Sequence, residues 1–268
     1  MNGGSAFSKQ VTRANGEVPT QFSASAFSLW LGAVAPGFHA AAVFVFDAAK
    51  GKTGGMPNGS KFNKDGRLFV TDAKLGLITF DPATGKVTVI ANKYEGTSLA
   101  SANDLTIDEA GGIYFTVPGG SGVLNANGRV FYLEPDGKTL RLVTDKIAFP
   151  NGIAIGAGGQ TVLIAESAAQ RVISVPALTA KGGSPLTYVY ARTRACAGPD
   201  GIMLDAKGHL LTASMGSGEI LVFSADGRPL GAIEFPEEVG KAVTNFVIRG
   251  HNLYVTAGGA FWRVQLSN

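Results

Sequence analysis

The chain has 268 residues, 45% hydrophobic and 16% charged, with a net charge of +3. That balance argues against a disordered chain, and the scatter of Lys and Arg argues against a nucleic-acid-binding surface. The length suffices for one large core, and all-β chains of this size are often undivided, so residues 1–268 read as a single domain.

In chain order the elements recur. A strand is expected over residues 8–14. After it, a polar residue stands six times just before a glycine-punctuated pair of predicted strands. The series is Glu17, Asn58, Asn103, Asn151, Asp200 and Asn245, at intervals of 41, 45, 48, 49 and 45 residues. A period of about 40–50 residues is the signature of a repeat architecture.

The first unit is irregular. It holds the uncharged stretch 18–46, which is broken by Pro19 and Pro36 and contains no continuous apolar run of the ~20 residues a membrane span needs. Its third run, Phe46-Asp47-Ala48-Ala49-Lys50-Gly51, parallels Phe80-Asp81-Pro82-Ala83-Thr84-Gly85 in the second unit. In the next four units the polar anchor is followed eight residues later by Gly66, Gly111, Gly159 and Gly208, the positive-φ residues that tight hairpins use. Each of those hairpins is expected to lead into a second apolar run. Third runs follow at Leu77–Phe80, Val130–Leu133, Val172–Val175 and Ile220–Phe223. Fourth runs follow at Val87–Ile90, Leu140–Val143, Leu186–Tyr190 and Ile233–Phe235. Short runs of β-branched and aromatic residues bounded by turn residues read as strands. Four antiparallel strands per unit describe a propeller blade, so the expected fold is an all-β, six-bladed propeller. The last unit stops at its third run, Phe261–Val264, and the N-terminal strand is expected to complete it and cover the open edge.

In a propeller the equivalent ends of the innermost strands converge on one channel mouth. The anchors would bring two carboxylates, Glu17 and Asp200, together with four amides. Carboxylates gathered at a buried mouth repel unless a cation lies between them. An all-oxygen set without His or Cys suits a hard divalent ion such as Ca²⁺, Mg²⁺ or Mn²⁺. The competing reading is that these residues only cap turns, and for Asn58 and Asn245 taken singly that is the preferred one.

Other chemistry-bearing residues are weaker candidates. His209 follows Gly208 in a hairpin and reads as exposed. Ser167, Ser214 and Ser217 lack a nucleophile-elbow context. Gly156–Gly159 opens no helix, so no phosphate cradle is expected. The lone Cys196 cannot form an internal disulfide, and no secretory signal opens the chain, which agrees with a cytoplasmic location.

The segments Asn103-Asp104 with Gly111-Gly112-Ile113-Tyr114-Phe115-Thr116, Pro150-Asn151-Gly152-Ile153-Ala154, and Gly198-Pro199-Asp200-Gly201-Ile202 resemble signature segments of the senescence marker protein-30/gluconolactonase-like family. Gly16-Glu17-Val18-Pro19 is similar to that family's opening. The resemblance spans residues 16–265 in order and spacing. It implies a central divalent metal, Ca²⁺ first, with Mg²⁺, Mn²⁺, Zn²⁺ and Fe²⁺ as further candidates, held by Glu17, Asn151 and Asp200. It also implies lactone hydrolysis, with Asp200 as general base and Asn103 holding a substrate oxygen. Asp104 reads as structural.

Two departures from the family pattern concern the substrate. Ser101 stands where many members carry an Arg that contacts polar substrate groups, and the loop 118–127 has no charged residue. The expected partner is therefore a small-molecule lactone or ester, smaller or more apolar than a sugar lactone. The alternative is a propeller that binds a ligand or partner without turnover, its metal site degenerate.

Overall fold

The computed structural model describes residues 11–13, 55–81, 84, 86–180, 186–194, 197–258 and 260–266. The first unit of the series, with Glu17 and His39, lies outside them, as does Cys196. The described residues form five four-stranded antiparallel sheets and one two-stranded hairpin. The sheets follow one another along the chain, and in four of them the strand order is the sequence order.

The first sheet comprises Pro57–Phe62, Leu68–Asp72, Gly76–Asp81 and Lys86–Ala91. The second comprises Leu105–Ile107, Ile113–Val117, Gly128–Leu133 and Leu140–Ile147. The third runs through Pro150–Ile155, Thr161–Glu166, Arg171–Pro176 and Tyr188–Arg192. The fourth runs through Pro199–Leu204, Leu210–Ser214, Glu219–Phe223 and Pro229–Glu234. The fifth has Val243–Arg249, Asn252–Ala257 and Ala260–Gln265, with Val11–Arg13 as its fourth strand.

That last strand pairs antiparallel, Val11 opposite Val264 and Arg13 opposite Trp262, so the early residues close the final sheet as expected. The pairing covers an edge that would otherwise present free N–H and C=O groups. The hairpin glycines Gly66, Gly111, Gly159 and Gly208 all have positive φ. The outer strands of the third and fourth sheets sit slightly off the runs read from sequence, at Tyr188–Arg192 and Pro229–Glu234.

First strands of successive sheets lie against one another, which fans the sheets around a common axis. Apolar clusters fill the wedges between neighbouring sheets. Leu77, Leu105, Phe115 and Phe131 join the first to the second, and Tyr114, Ile153, Val162 and Ile164 join the second to the third. Leu163, Ile202, Leu210 and Phe223 join the third to the fourth, and Ile220, Phe246 and Val255 join the fourth to the fifth. The second, third and fourth sheets are therefore buried on both faces, at about 25 cal/mol per Å² of apolar surface removed from water. This is the four-stranded blade arrangement of a propeller. Among the described residues no helix is long and apolar enough to cross a membrane.

Candidate functional site at the start of the innermost strands

The anchors owe their position to a repeated β-bulge. Pairing of the first two strands slips between Pro57 and Ser60, Pro150 and Ile153, Pro199 and Ile202, and Val243 and Asn245. In the first, third and fourth sheets the slip admits an extra residue at the strand start, so two residues oppose one and the first can be re-aimed. The pairs are Asn58-Gly59, Asn151-Gly152 and Asp200-Gly201. In the second sheet the corresponding pair is Asn103-Asp104, held to Thr116 by backbone bonds of 2.9 and 3.0 Å.

The second slot is tight for a steric reason. A Cβ on Gly152 would lie 2.3 Å from the Asp200 carbonyl oxygen, and one on Gly201 would lie 2.6 Å from Asn245 Oδ1. Where glycine is absent, the side chain folds onto the next backbone N–H. Leu105 N donates to Asp104 Oδ1 and Phe246 N donates to Asn245 Oδ1, each at 2.8 Å. Asn245 is therefore the partner of Gly59, Asp104, Gly152 and Gly201, and the true fifth-sheet anchor is Thr244. This corrects the sequence series, whose last member belongs to the other slot of the bulge. Thr244 Oγ1 is spent on Thr256 Oγ1, 2.9 Å away.

A threonine on the second strand locks several bulges to the next blade. Thr71 Oγ1 donates to the Asn103 carbonyl at 2.6 Å, and Thr116 Oγ1 donates to the Asn151 carbonyl at 2.8 Å. Both threonines are fully buried. Gly59 N also donates to the Asn103 carbonyl, at 2.8 Å. The carbonyls of Asn103 and Asn151 are thereby fixed, leaving their side chains as the variable part.

Of the site residues read from sequence, the structure brings Asn151 and Asp200 together. Asn151 is buried, and its side chain hydrogen-bonds the Asp200 carboxylate. Asp200 keeps partial solvent access yet is otherwise enclosed by protein. Burial first, and then the like charge of Asp104, push its carboxyl up to about 7, against the pull of the Asn151 hydrogen bond. Asp104 is raised as well, by burial, with Lys61 and the N–H groups of Leu105 and Ile153 opposing. It does brace the fold, since Ile153 N donates across the blade boundary to its Oδ2 at 3.3 Å. It also acts on Asp200, an effect that a purely structural reading misses. Glu17, the third expected ligand, lies outside the described residues. Among those described, no three His, Cys, Asp or Glu side chains form a metal-ligating cluster.

Ser101 sits two residues before Asn103 in a left-handed conformation, φ 73°. The corresponding residues of the next two blades, Phe149 and Gly198, are also left-handed, φ 61° and 78°. A recurring bond holds this position in four of the five sheets, whether or not its φ is positive. The N–H just past the second strand donates to the carbonyl of this residue: Ala73 to Met56, Ser167 to Phe149, Met215 to Gly198 and Gly258 to Ala242. In the second sheet that position is Pro118, which has no N–H. There Gly119 N donates instead to Ser101 Oγ at 2.8 Å, so this hydroxyl is partly occupied. The same loop is fastened at its other side, where Phe149 N donates to Ser121 Oγ at 2.9 Å.

The opposite end of the sheets carries turn chemistry. His209 was expected to be exposed but is half-buried, its Nδ1 lying 2.9 Å from Asp205 Oδ2. Asp205 also accepts from the N–H of Lys207 and of His209 itself, closing the hairpin.

Residues 38–259 match the model of the SMP-30/Gluconolactonase/LRE-like region. The chain is 31% identical over 192 residues to a protein named lactonase drp35 from Staphylococcus saprophyticus, covering 67% of this chain and 57% of that one. It is 31% identical over 229 residues to a protein named gluconolactonase from Zymomonas mobilis, covering 78% and 62%. The chain thus spans about three-fifths of the length of these relatives. A solved gluconolactonase from Xanthomonas campestris superposes with a TM-score of 0.68 at 25% identity, covering 79% of this chain and 72% of that one.

Proposed function

The chain belongs to the SMP-30/gluconolactonase/LRE-like family, and on that premise we propose that it hydrolyses a lactone at the channel mouth of a six-bladed propeller, with Asp200 as general base. The observation that carries the reading is the condition of Asp200. In the metal-free protein, burial and then Asp104 push its carboxyl up to about 7 against the Asn151 hydrogen bond, and it stays partly open to solvent. A base whose pKa lies near the working pH combines adequate basicity with a useful ionised fraction.

The neighbouring residues have distinct parts. Asn151 orients the Asp200 carboxylate and favours its charged form. Asn103, whose carbonyl is consumed by Gly59 and Thr71, offers its side-chain amide to a substrate oxygen. Ser101 accepts from Gly119 but still has a hydroxyl proton to donate to substrate.

A divalent cation fits this donor set. Asp200 and Asn151 place oxygen donors side by side, and the charge that bears on Asp200 is the like one of Asp104 rather than a cation. Glu17 would add a third oxygen. When bound, Ca²⁺, or another of the ions named above, would polarise the ring carbonyl and lower the pKa of water. The lone cysteine suits a cytoplasmic setting.

The test is a panel of aliphatic, aromatic and sugar lactones, assayed as isolated, after chelation and after metal add-back. Asp200→Asn should lower kcat/KM by about 10²–10⁴ with the circular dichroism spectrum unchanged. Full activity in that variant would remove Asp200 from the mechanism. Binding without hydrolysis of any lactone would favour a ligand-binding propeller.

A further inference from the structure

The loop 118–127 ties together two of the left-handed positions that flank the anchors. Gly119 N bonds Ser101 Oγ at one side, and Phe149 N bonds Ser121 Oγ at the other. The loop is ordered by a further pair of backbone bonds, Gly122 to Asn125 and back, each 3.1 Å. That turn presents Val123, 64% exposed, and Leu124, fully exposed, on the anchor face of the propeller. An apolar pair displayed on a braced turn is not there to fill a core.

Phe149 adds a second sign. A bulky residue rarely adopts positive φ, and such strain persists only where the surroundings impose it. The backbone need at this position is met by glycine in the next blade, at Gly198. The phenyl ring is thus not called for by the backbone at this position. It is half-buried, and two residues of chain separate it from Asn151, a reach of at most about 7 Å. Its blade-two counterpart is Ser101, whose one hydroxyl already accepts from Gly119.

We infer that Phe149, Val123 and Leu124 form an apolar wall beside the site that selects lactones bearing an alkyl or aryl ring substituent over polyhydroxylated ones. The inference rests on lactone hydrolysis as the reaction and names its substrate class. A polyol would need several donors and acceptors along this wall, and its residues supply none. An alkyl tail needs only surface to cover.

Three probes test it: γ-butyrolactone, the γ-lactone with a five-carbon tail, and glucono-1,5-lactone. Binding is read by calorimetry and turnover by acid release. The parent protein should bind the tailed lactone more tightly than the other two. Phe149→Gly, which keeps the positive φ, should weaken binding of the tailed lactone and raise its KM by about tenfold or more, leaving kcat and the bare lactone unchanged. The exposed double variant Val123→Ser/Leu124→Ser should act in the same direction, without loss of thermal stability. Equal effects on all three probes, or none, would overturn the wall. Selective binding without hydrolysis would leave the wall and remove the lactonase reading. Hydrolysis that is indifferent to these substitutions would do the reverse, and neither binding nor hydrolysis would remove both.

Discussion

Replacing Asp200 by Asn should make the metal-free protein more stable at pH 8 even as it removes the base. The native carboxyl titrates near 7, whereas in the unfolded chain it returns to an ordinary value near 3.8. Between those values the native state holds a proton that the unfolded state has released. Stability therefore falls as pH rises through this window, and the full penalty stands above about pH 7. Three pH units correspond to about 4 kcal/mol. Partial solvent access and coupling to Asp104 bring the expected effect nearer to about 2 kcal/mol. Asn removes the ionisation and with it the penalty. Urea unfolding in chelator, at pH 5 and pH 8, should show the parent losing roughly two-thirds of that amount relative to the variant, since about two of the three pH units lie above pH 5. A divalent ion should then reverse the order at pH 8, since a ligand at a hundredfold excess over Kd adds about 2.7 kcal/mol to the form that binds it. Identical pH dependence in parent and Asp200→Asn would refute the argument, because the pair differs only in this one ionisable group.

Two further outcomes concern how the anchors are held. Thr116→Val deletes a hydroxyl that bonds the Asn151 carbonyl at 2.8 Å and accepts from Asp104 N at 3.0 Å, leaving buried groups unpaired. It should cost about 1–3 kcal/mol by urea unfolding and weaken divalent-ion binding, whereas Thr116→Ser should restore both. Gly152→Ala drives a methyl to 2.3 Å from the Asp200 carbonyl oxygen. It should destabilise by about 1–3 kcal/mol and depress activity, whereas Glu109→Ala at an exposed turn, the control, should do neither.

The blades were legible because their causes are local. Hairpin glycines at a fixed offset, apolar runs of strand length and a last unit one strand short are all written in neighbouring residues. The register at Asn245 was misread because the bulge has two polar-tolerant slots, and an amide in the second imitates one in the first. A signal did exist. The residue before each true anchor is apolar, namely Pro57, Ala102, Pro150, Pro199 and Val243, whereas Asn245 follows Thr244. The pairing of Asp104 with Asp200 was illegible for a different reason. They are nearly a hundred positions apart, and their proximity exists only once the blades are fanned around the axis.

On the proposed reading, chemistry, selectivity and ring integrity fall on successive positions of one short segment. The second bulge slot must be glycine, or a side chain that turns back on its own backbone, because the next blade presses against it. It is the slot that joins the blades. The first slot is freed from that duty: at Asn103 and Asn151 a threonine holds only the carbonyl, leaving the side chain to differ without disturbing the sheet. Two residues earlier, the backbone is tied by a carbonyl bond to the end of the second strand in four sheets, and through the Ser101 hydroxyl in the other. A propeller built this way can change its substrate at Ser101 or Phe149, and its ligand set at Asn151 or Asp200, without re-forming a single strand pair. The cost is borne at Asp200. Its carboxyl is kept beside Asp104 inside the protein, where burial and like charge raise its pKa and a proton or a cation relieves it.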